Sequence, residues 1–185
     1  MINDEKYIQE AEIIREKGTN HSQFFRGEID KYSWVGPGSS YVMSDVLAAF
    51  LYGQLEQWKT IQEKRRNIWE RYHEALAEWC DKQSVRRPQV PEHYEQAYHM
   101  YYLLFPEADK RDAFIAHMKS HSIRAVFHYA PLHQTPYGRE FAVKGDECKI
   151  SVETSSRLVR LPFYNDLNDD DQKTIISKIR SFYKL

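Results

Sequence analysis

Apolar residues recur at intervals of three and four in several stretches of the chain, the spacing that places them on one face of an α-helix. Residues 4–17 form the first predicted helix, with Asp4 as its N-cap and Gly18 at its end. A second predicted helix is capped by Ser44 and extends to about residue 79. The chain therefore begins with two helices that need a partner layer to cover their apolar positions.

The second helix changes character along its length. The segment 46–51 is apolar on all sides, which predicts deep burial, whereas the charged run 63–66 predicts a solvated face. Between the two helices, residues 19–40 alternate between polar and aromatic side chains and predict a long ordered loop. Loops of that length in compact chains are usually functional.

After a Pro-containing linker at 88–91, strand-like and helix-like patterns alternate to the end of the chain. The predicted strands are 98–105 and 123–129, and the predicted helices are 109–121, 151–160 and a last one capped by Asn168, with Ile175, Ile176, Ile179 and Phe182 facing inward. This alternation predicts an α/β fold class, with an α+β small domain at the C-terminal end.

Composition excludes several classes of protein. The 185 residues contain 26 Lys and Arg against 27 Asp and Glu, so no basic excess is present to neutralise the phosphates of a nucleic acid. Neither a Gly-rich dinucleotide motif nor a P-loop occurs. Two distant cysteines favour a reducing, cytoplasmic location, and no apolar run is long enough to predict a membrane span.

Histidines provide two candidate sites. His117 and His121 lie four residues apart on one predicted helix, a spacing used by metal ligands, but no third ligand is evident and a place beside the helix core explains them as well. His128, Tyr129 and His133 surround a proline turn at the end of a predicted strand. They are either site residues or core residues with satisfied hydrogen bonds.

Serines before the second helix provide a third candidate. Ser39, Ser40 and Tyr41 follow Gly38 and precede the helix N-terminus, a location that favours a phosphate through unpaired N–H groups and the helix dipole. The alternative is that the serines only form the turn and Ser44 only caps the helix.

Eight blocks of sequence together resemble the DegT/StrS-type sugar-nucleotide aminotransferases. The resemblance covers essentially the whole chain, and its blocks are 11–20, 22–28, 30–35, 38–41, 44–50, 97–102, 125–133 and 160–164. It implies the C-terminal part of a fold-type-I, aspartate-aminotransferase-like enzyme. It also implies pyridoxal 5'-phosphate as the cofactor, a homodimer with shared sites, and transfer of an amino group from glutamate to C4 of a nucleotide-linked 4-keto-6-deoxyhexose.

The resemblance also assigns residues. Ser39, Ser40 and Tyr41 would approach the cofactor phosphate of the neighbouring subunit, where family members commonly have an Asn in place of Ser40. The sugar nucleotide would contact the residues Phe25, Arg26, His128, Tyr129 and His133. No catalytic residue and no metal ligand is assigned.

The match begins partway through the family pattern. Residues 1–70 correspond to the end of the large cofactor-binding domain and residues 71–185 to the small C-terminal domain, so the segment with the Schiff-base lysine would lie upstream of Met1. We therefore expect this chain alone to bind no cofactor and to be inactive. The alternative is a non-catalytic module for sugar-nucleotide binding or dimerisation.

Overall fold

A computed structural model describes residues 2–141 and 147–183. It confirms the mixed helix and sheet architecture and divides the chain into two units, Met1–Gln57 and Trp58–Leu185. The predicted domain boundary at residue 70 lies within a helix of the second unit, and the assignment of large-domain and small-domain parts stays a prediction.

The first unit contains three helices. A 3-10 turn at Glu5–Tyr7 leads into α1 (Ile8–Arg15), followed by α2 (His21–Phe25) and α3 (Asp45–Glu56). Both predicted N-caps are confirmed: the Asp4 carboxylate accepts the Lys6 N–H at 3.1 Å, and the Ser44 hydroxyl accepts the Leu47 N–H at 3.4 Å. The segment predicted as a loop contains the short α2.

Burial in the first unit differs from the prediction. Every buried hydrophobic side chain of the described residues lies at residue 68 or beyond. In α3, Val46 is 79% and Phe50 is 70% exposed, so deep burial of 46–51 is wrong for this chain. An all-apolar helix needs cover on every side, and the first unit contains no other element that supplies it.

The second unit packs helices around a three-stranded antiparallel sheet of order β1-β3-β2. Its helices are α4 (Trp58–Ala75), α5 (Ala77–Lys82), α6 (Ala108–Ser120), α7 (Gly138–Phe141), α8 (Lys149–Arg157) and α9 (Asp169–Ser181), and its strands are β1 (Tyr102–Leu104), β2 (Val126–Phe127) and β3 (Leu158–Arg160). A 3-10 turn occupies Leu132–Gln134.

Two helix predictions require correction. The helix expected from Ser44 to residue 79 is interrupted at Gln57 and again at Leu76, giving α3, α4 and α5. The helix expected over 151–160 ends at Arg157, and the next three residues form the central strand β3. Leu158 pairs with β1, whereas Val159 and Arg160 pair with strands on both sides, and this tertiary pairing overrides the weak local helix pattern.

The core of the second unit lies between the sheet and the helices. The cross-strand partners Leu103 and Val159 are fully buried, together with Tyr72, Phe114 and Ile179 from three helices. The predicted C-terminal helix is confirmed, with the Asn168 side chain accepting the Asp171 N–H at 2.8 Å. The second unit therefore has its own hydrophobic core.

Several buried polar groups in this core are paired, although Nε1 of Trp69 and of Trp79 has no hydrogen-bond partner among the described residues. The amide of Gln172 donates to the Ile68 carbonyl at 2.8 Å and accepts from Arg71 at 2.7 Å. The Tyr72 hydroxyl donates to the Pro162 carbonyl at 3.0 Å. Burial raises the pKa of the Cys80 thiol to about 12, which keeps it protonated and unreactive.

Among the described residues, none of the helices is both long enough and apolar enough to cross a membrane.

Candidate functional site

The predicted phosphate-binding segment lies along the C-terminal end of α1. Ser40 pairs with Glu16 in an antiparallel bridge, and Trp34 pairs with Thr19 in a second one. The helix ends in a left-handed turn, with φ of +63° at Lys17 and +79° at Gly18. The Gly18 N–H donates to the Ile13 carbonyl at 2.8 Å, the bond of a Schellman motif.

Backbone hydrogen bonds fix the segment in this position. The Ser39 N–H donates to the Ile14 carbonyl at 3.0 Å, and the Ser39 carbonyl accepts the Lys17 N–H at 3.1 Å. The Tyr41 N–H is bonded to the carbonyls of Arg15 and Ser39 at 3.2 and 3.0 Å. The backbone donors of Ser39 and Tyr41 are therefore used within the protein, and a bound anion would depend on side chains.

The N-terminus of α3 is also less suited to an anion than the sequence suggested. Ser44 already caps it, and Asp45 places a negative charge in its first turn. A carboxylate in that position interacts favourably with the helix dipole and repels a second anion. An anion near Ser40 thus requires cations from another element.

Those cations lie in a cavity of about 350 Å³ beside Ser40. Its lining includes Arg15 and Lys17 from the end of α1, together with His21 and Tyr32. Arg15 is paired with Glu16 at 2.9 Å, and this bond lowers the pKa of the Glu16 carboxyl, so Lys17 supplies the net positive charge. A hydroxyl, a guanidinium and an ammonium group form a donor set that fits a phosphate.

Phe25 and Arg26 lie at the end of α2. The Phe25 side chain is 74% exposed and contacts His21, with ring centroids 4.4 Å apart. The Arg26 guanidinium makes two bonds to Glu12, at 2.9 and 3.0 Å, and two to Glu28, at 2.6 and 3.4 Å. Any anion that binds Arg26 must compete with two carboxylates.

His128, Tyr129 and His133 follow β2 in the second unit. His128 and Tyr129 are in ring contact at 5.7 Å, and Tyr129 is 72% exposed. Within the described residues, Nδ1 of His128 and Nε2 of His133 are buried atoms with no hydrogen-bond partner. Burial, and then the charge of Arg160, lowers the pKa of His128, so this ring is neutral at pH 7.

Two cationic side chains of this region were not predicted as site residues from the sequence. Arg124 and Arg160 line a cavity of about 460 Å³ together with His99 and Tyr129. Arg160 was included in a predicted helix, and only its pairing with Val126 across the sheet places it beside the cavity. Recognising Leu158–Arg160 as a strand would have identified this arrangement.

The two histidines considered as metal ligands bond to backbone groups instead. Nε2 of His117 lies 2.9 Å from the Lys178 carbonyl, and Nδ1 of His121 lies 2.9 Å from the His117 carbonyl. In the part of the chain that the structure describes, no three His, Cys, Asp or Glu side chains are grouped to hold a metal ion.

Known aminotransferases and a polysaccharide biosynthesis protein are similar to this chain in sequence, in fold or in both. The spore coat polysaccharide biosynthesis protein SpsC of Bacillus subtilis is 27% identical over 158 residues, which cover 83% of this chain and 40% of SpsC. A DegT/DnrJ/EryC1/StrS aminotransferase from Brucella abortus superposes with a TM-score of 0.80 at 26% identity, covering 100% of this chain and 46% of that one.

A more distant structure shows the same fold. The sugar aminotransferase CalS13 of Micromonospora echinospora has a TM-score of 0.77 at 16% identity, covering 97% of this chain and 46% of CalS13. The chain thus spans less than half the length of these relatives. Because the sequence profile of the DegT/DnrJ/EryC1/StrS aminotransferase family matches residues 1–180, this protein belongs to that family.

Proposed function

We propose that the chain is the C-terminal portion of a pyridoxal-phosphate-dependent aminotransferase that transfers an amino group from glutamate to C4 of a nucleotide-linked 4-keto-6-deoxyhexose. The family match over residues 1–180 carries this proposal. Within the family, the sequence blocks favour a dTDP-4-amino-4,6-dideoxygalactose transaminase. The role of SpsC in spore coat polysaccharide biosynthesis agrees with a function in cell-surface polysaccharide synthesis.

The cavity beside Ser40 supports the proposal that the cofactor phosphate binds there. Ser39, Ser40 and Tyr41 would hold the phosphate bound mainly by the partner subunit of a homodimer, with the Ser40 hydroxyl as donor and Lys17 as the nearby cation. When bound, the cofactor supplies an electron sink and carries the amino group between substrates. This chain contributes phosphate binding at that location.

The residues proposed to contact the substrate offer aromatic rings and a guanidinium. Phe25 and Arg26 offer an exposed ring and a guanidinium, and His128, Tyr129 and His133 offer rings at the end of β2. Because His128 is neutral, one of its ring nitrogens accepts and the other donates a hydrogen bond, which suits the hydroxyl groups of a sugar.

Co-expression with the coding region upstream of residue 1 tests this function. We expect the combined protein to retain pyridoxal phosphate, measured by its absorbance, and to form 2-oxoglutarate from glutamate when dTDP-4-keto-6-deoxyglucose is supplied. The Ser40→Ala variant should bind the cofactor more weakly, whereas Ser33→Ala, an exposed serine on the same loop, should not.

Two results would contradict the proposal. If the combined protein binds no cofactor and does not convert the nucleotide sugar, the alternative of a non-catalytic module is favoured. The second result is that the 185-residue chain alone forms a borohydride-reducible cofactor adduct at one lysine and catalyses amino transfer. In that case the proposal that this chain is inactive on its own is wrong.

A further inference from the structure

An apolar groove lies beside β2, at one edge of the sheet in the second unit. Its volume is about 500 Å³, which is within the usual range of ligand pockets. The groove is lined by the end of α6, by β2 and by the residues between them. Its apolar surface includes Ile115, Ile123, Val126 and Phe127. We call it the edge groove.

The sheet is open at β2 and covered at its other edge. The strand order β1-β3-β2 places β1 and β2 at the two edges. At the edge formed by β1, Arg86 and Leu104 exchange two backbone hydrogen bonds of 2.9 Å. Among the described residues, Val126 and Phe127 make no backbone hydrogen bond beyond their pairing with β3. The outer edge of β2 therefore offers backbone donors and acceptors to another strand.

The cations of the edge groove have no partner of opposite charge. Lys119 and Arg124 are both exposed, and neither side chain forms a hydrogen bond or an ion pair within the part of the chain that the structure describes. No Asp or Glu is among the lining residues. Unpaired cations beside an apolar surface favour a partner that carries carboxylates.

Phe127 is the accessible apolar side chain of the groove. It is 59% exposed and has no ring contact with another described residue. Ile115 and Ile123 are half-buried and pack against the core of the second unit. The groove therefore has a floor that the core holds in place and an exposed aromatic wall on the strand itself.

We propose that the edge groove binds an extended acidic segment of a partner protein, which adds a strand to β2. The backbone of the segment pairs with Val126 and Phe127, its alternate apolar side chains lie in the groove, and its carboxylates pair with Lys119 and Arg124. In strand addition, main-chain hydrogen bonds give affinity and pockets for alternate side chains give specificity. A lipid surface fits less well, because membrane-binding polybasic segments have about four to eight Lys and Arg residues.

Fluorescence anisotropy with the 185-residue chain tests the proposal, since the groove needs neither cofactor nor amino transfer. The probe is a fluorescein-labelled heptapeptide in which Glu alternates with Val and Phe. It should bind, and more weakly as the salt concentration increases. The same peptide with Lys in place of Glu should not bind, because its charges repel those of Lys119 and Arg124.

Backbone pairing has a separate signature. In an added strand, alternate peptide amides face β2 and the others face solvent. N-methylation of the set that faces β2 should abolish binding, whereas N-methylation of the other set should not. On addition of the unmethylated peptide, the NMR signals of the Val126 and Phe127 amides should shift, because these residues pair with it.

Reversal of both charges locates the site. The double variant Lys119→Glu, Arg124→Glu should bind the Glu peptide about tenfold more weakly or worse, and it should bind the Lys peptide that the parent chain rejects. Binding of the Lys peptide also shows that the double variant is folded. The matched control is Arg139→Glu with Lys173→Glu, at exposed cations of α7 and α9 outside the groove, and it should leave binding of the Glu peptide unchanged.

Several results would overturn the proposal. Equal binding of the Glu and Lys peptides, or an affinity that the charge reversal does not change, would show that the two cations do not select the partner. Equal tolerance of both N-methylation patterns would rule out strand addition. Binding to phosphatidylserine vesicles without binding to the Glu peptide would assign the surface to a membrane. If no peptide binds, Lys119 and Arg124 only protect the sheet edge from unwanted pairing.

Discussion

Gly38 passes so close to Gly18 that neither position has room for a side chain. A Cβ built on Gly38 would lie 2.1 Å from the Gly18 nitrogen and 2.7 Å from the Lys17 carbonyl carbon. A Cβ on Gly18 would lie 1.8 Å from the Gly36 oxygen. This approach of two backbones is what holds Ser39 and Ser40 against the end of α1.

Gly38→Ala should therefore displace residues 38–41 from α1. Overpacking at a site enclosed by backbone costs about 1–3 kcal/mol, and the expected loss is the pair of Ser39 hydrogen bonds to α1. Hydrogen exchange of the Ser39 and Gly18 amides measures the effect. Gly53→Ala is the matched control: nothing lies within 4 Å of its Cβ, and alanine in helix α3 should stabilise by about 0.5–1 kcal/mol. Unchanged exchange at Ser39 in Gly38→Ala would count against this packing.

Helices with strong end signals could be predicted from the sequence, and the strands only in part. Asp4, Ser44 and Asn168 each cap a helix as predicted because a capping bond is local and involves residues two or three positions apart. Strands β1 and β2 lie within the predicted segments 98–105 and 123–129 but are only three and two residues long, and β3 was not predicted. The lengths of these strands and the place of β3 depend on pairing between residues distant in sequence, which a local pattern does not contain.

Hydrogen exchange should distinguish the two units. Amides of residues 19–40 that are not hydrogen-bonded should exchange quickly, because that segment contributes no hydrophobic side chain to a buried core, whereas bonded amides such as that of Ser39 should be slower. Amides of Leu103 and Val159 should exchange slowly, since both residues lie in paired strands and are fully buried. Pulse-labelling followed by mass spectrometry measures the contrast. Uniformly slow exchange throughout 19–40 would show that the first unit is better supported than its burial indicates.

Acidification should destabilise the second unit through two histidines. Burial lowers the pKa of both His73 and His128, and Arg87 and Arg160 respectively lower it further. Below the ordinary value of 6.5, the unfolded chain binds protons that the folded protein resists, so stability is complete above that value and decreases as pH falls. Urea unfolding followed by tryptophan fluorescence should show the loss as pH falls below about 6.5.

Single substitutions identify which histidine causes this pH dependence of stability. His73→Gln should reduce it, and in Arg160→Ala an NMR titration should find a higher pKa for His128. His121→Gln, at the exposed histidine that forms the C-cap of α6, is the control and should leave the slope unchanged. An equal dependence of stability on pH in the parent protein, in His73→Gln and in His121→Gln would contradict the assignment.

The candidate site was predictable where chemistry is carried by a local motif and unpredictable where it arises from packing. The segment from Ser39 to Tyr41 was identified from its sequence, but the use of its backbone donors by α1 follows from contacts with residues more than twenty positions earlier. Arg160 was overlooked for the same reason, because its place beside Tyr129 depends on the pairing of β3 with β2.

The exposed apolar side chains of α3 predict self-association. Val46 is 79%, Leu47 60% and Phe50 70% exposed, and the helix has no buried residue. An apolar patch larger than a few hundred Å² tends to find another surface, and identical chains most often use a two-fold dimer. We expect a homodimer or larger species at tens of micromolar by sedimentation velocity. Phe50→Asp should shift it toward monomer, because a carboxylate in a desolvated contact is costly.

Matched substitutions separate this effect from a general change in charge or folding. Ile150→Asp introduces the same carboxylate at an 82% exposed side chain of α8 in the second unit, and it should leave the oligomer unchanged. The melting transition of the second unit should be the same in both variants, since neither side chain belongs to its core. A monomeric parent chain would contradict self-association. An oligomer that persists in Phe50→Asp and dissociates in Ile150→Asp would place the association surface away from α3.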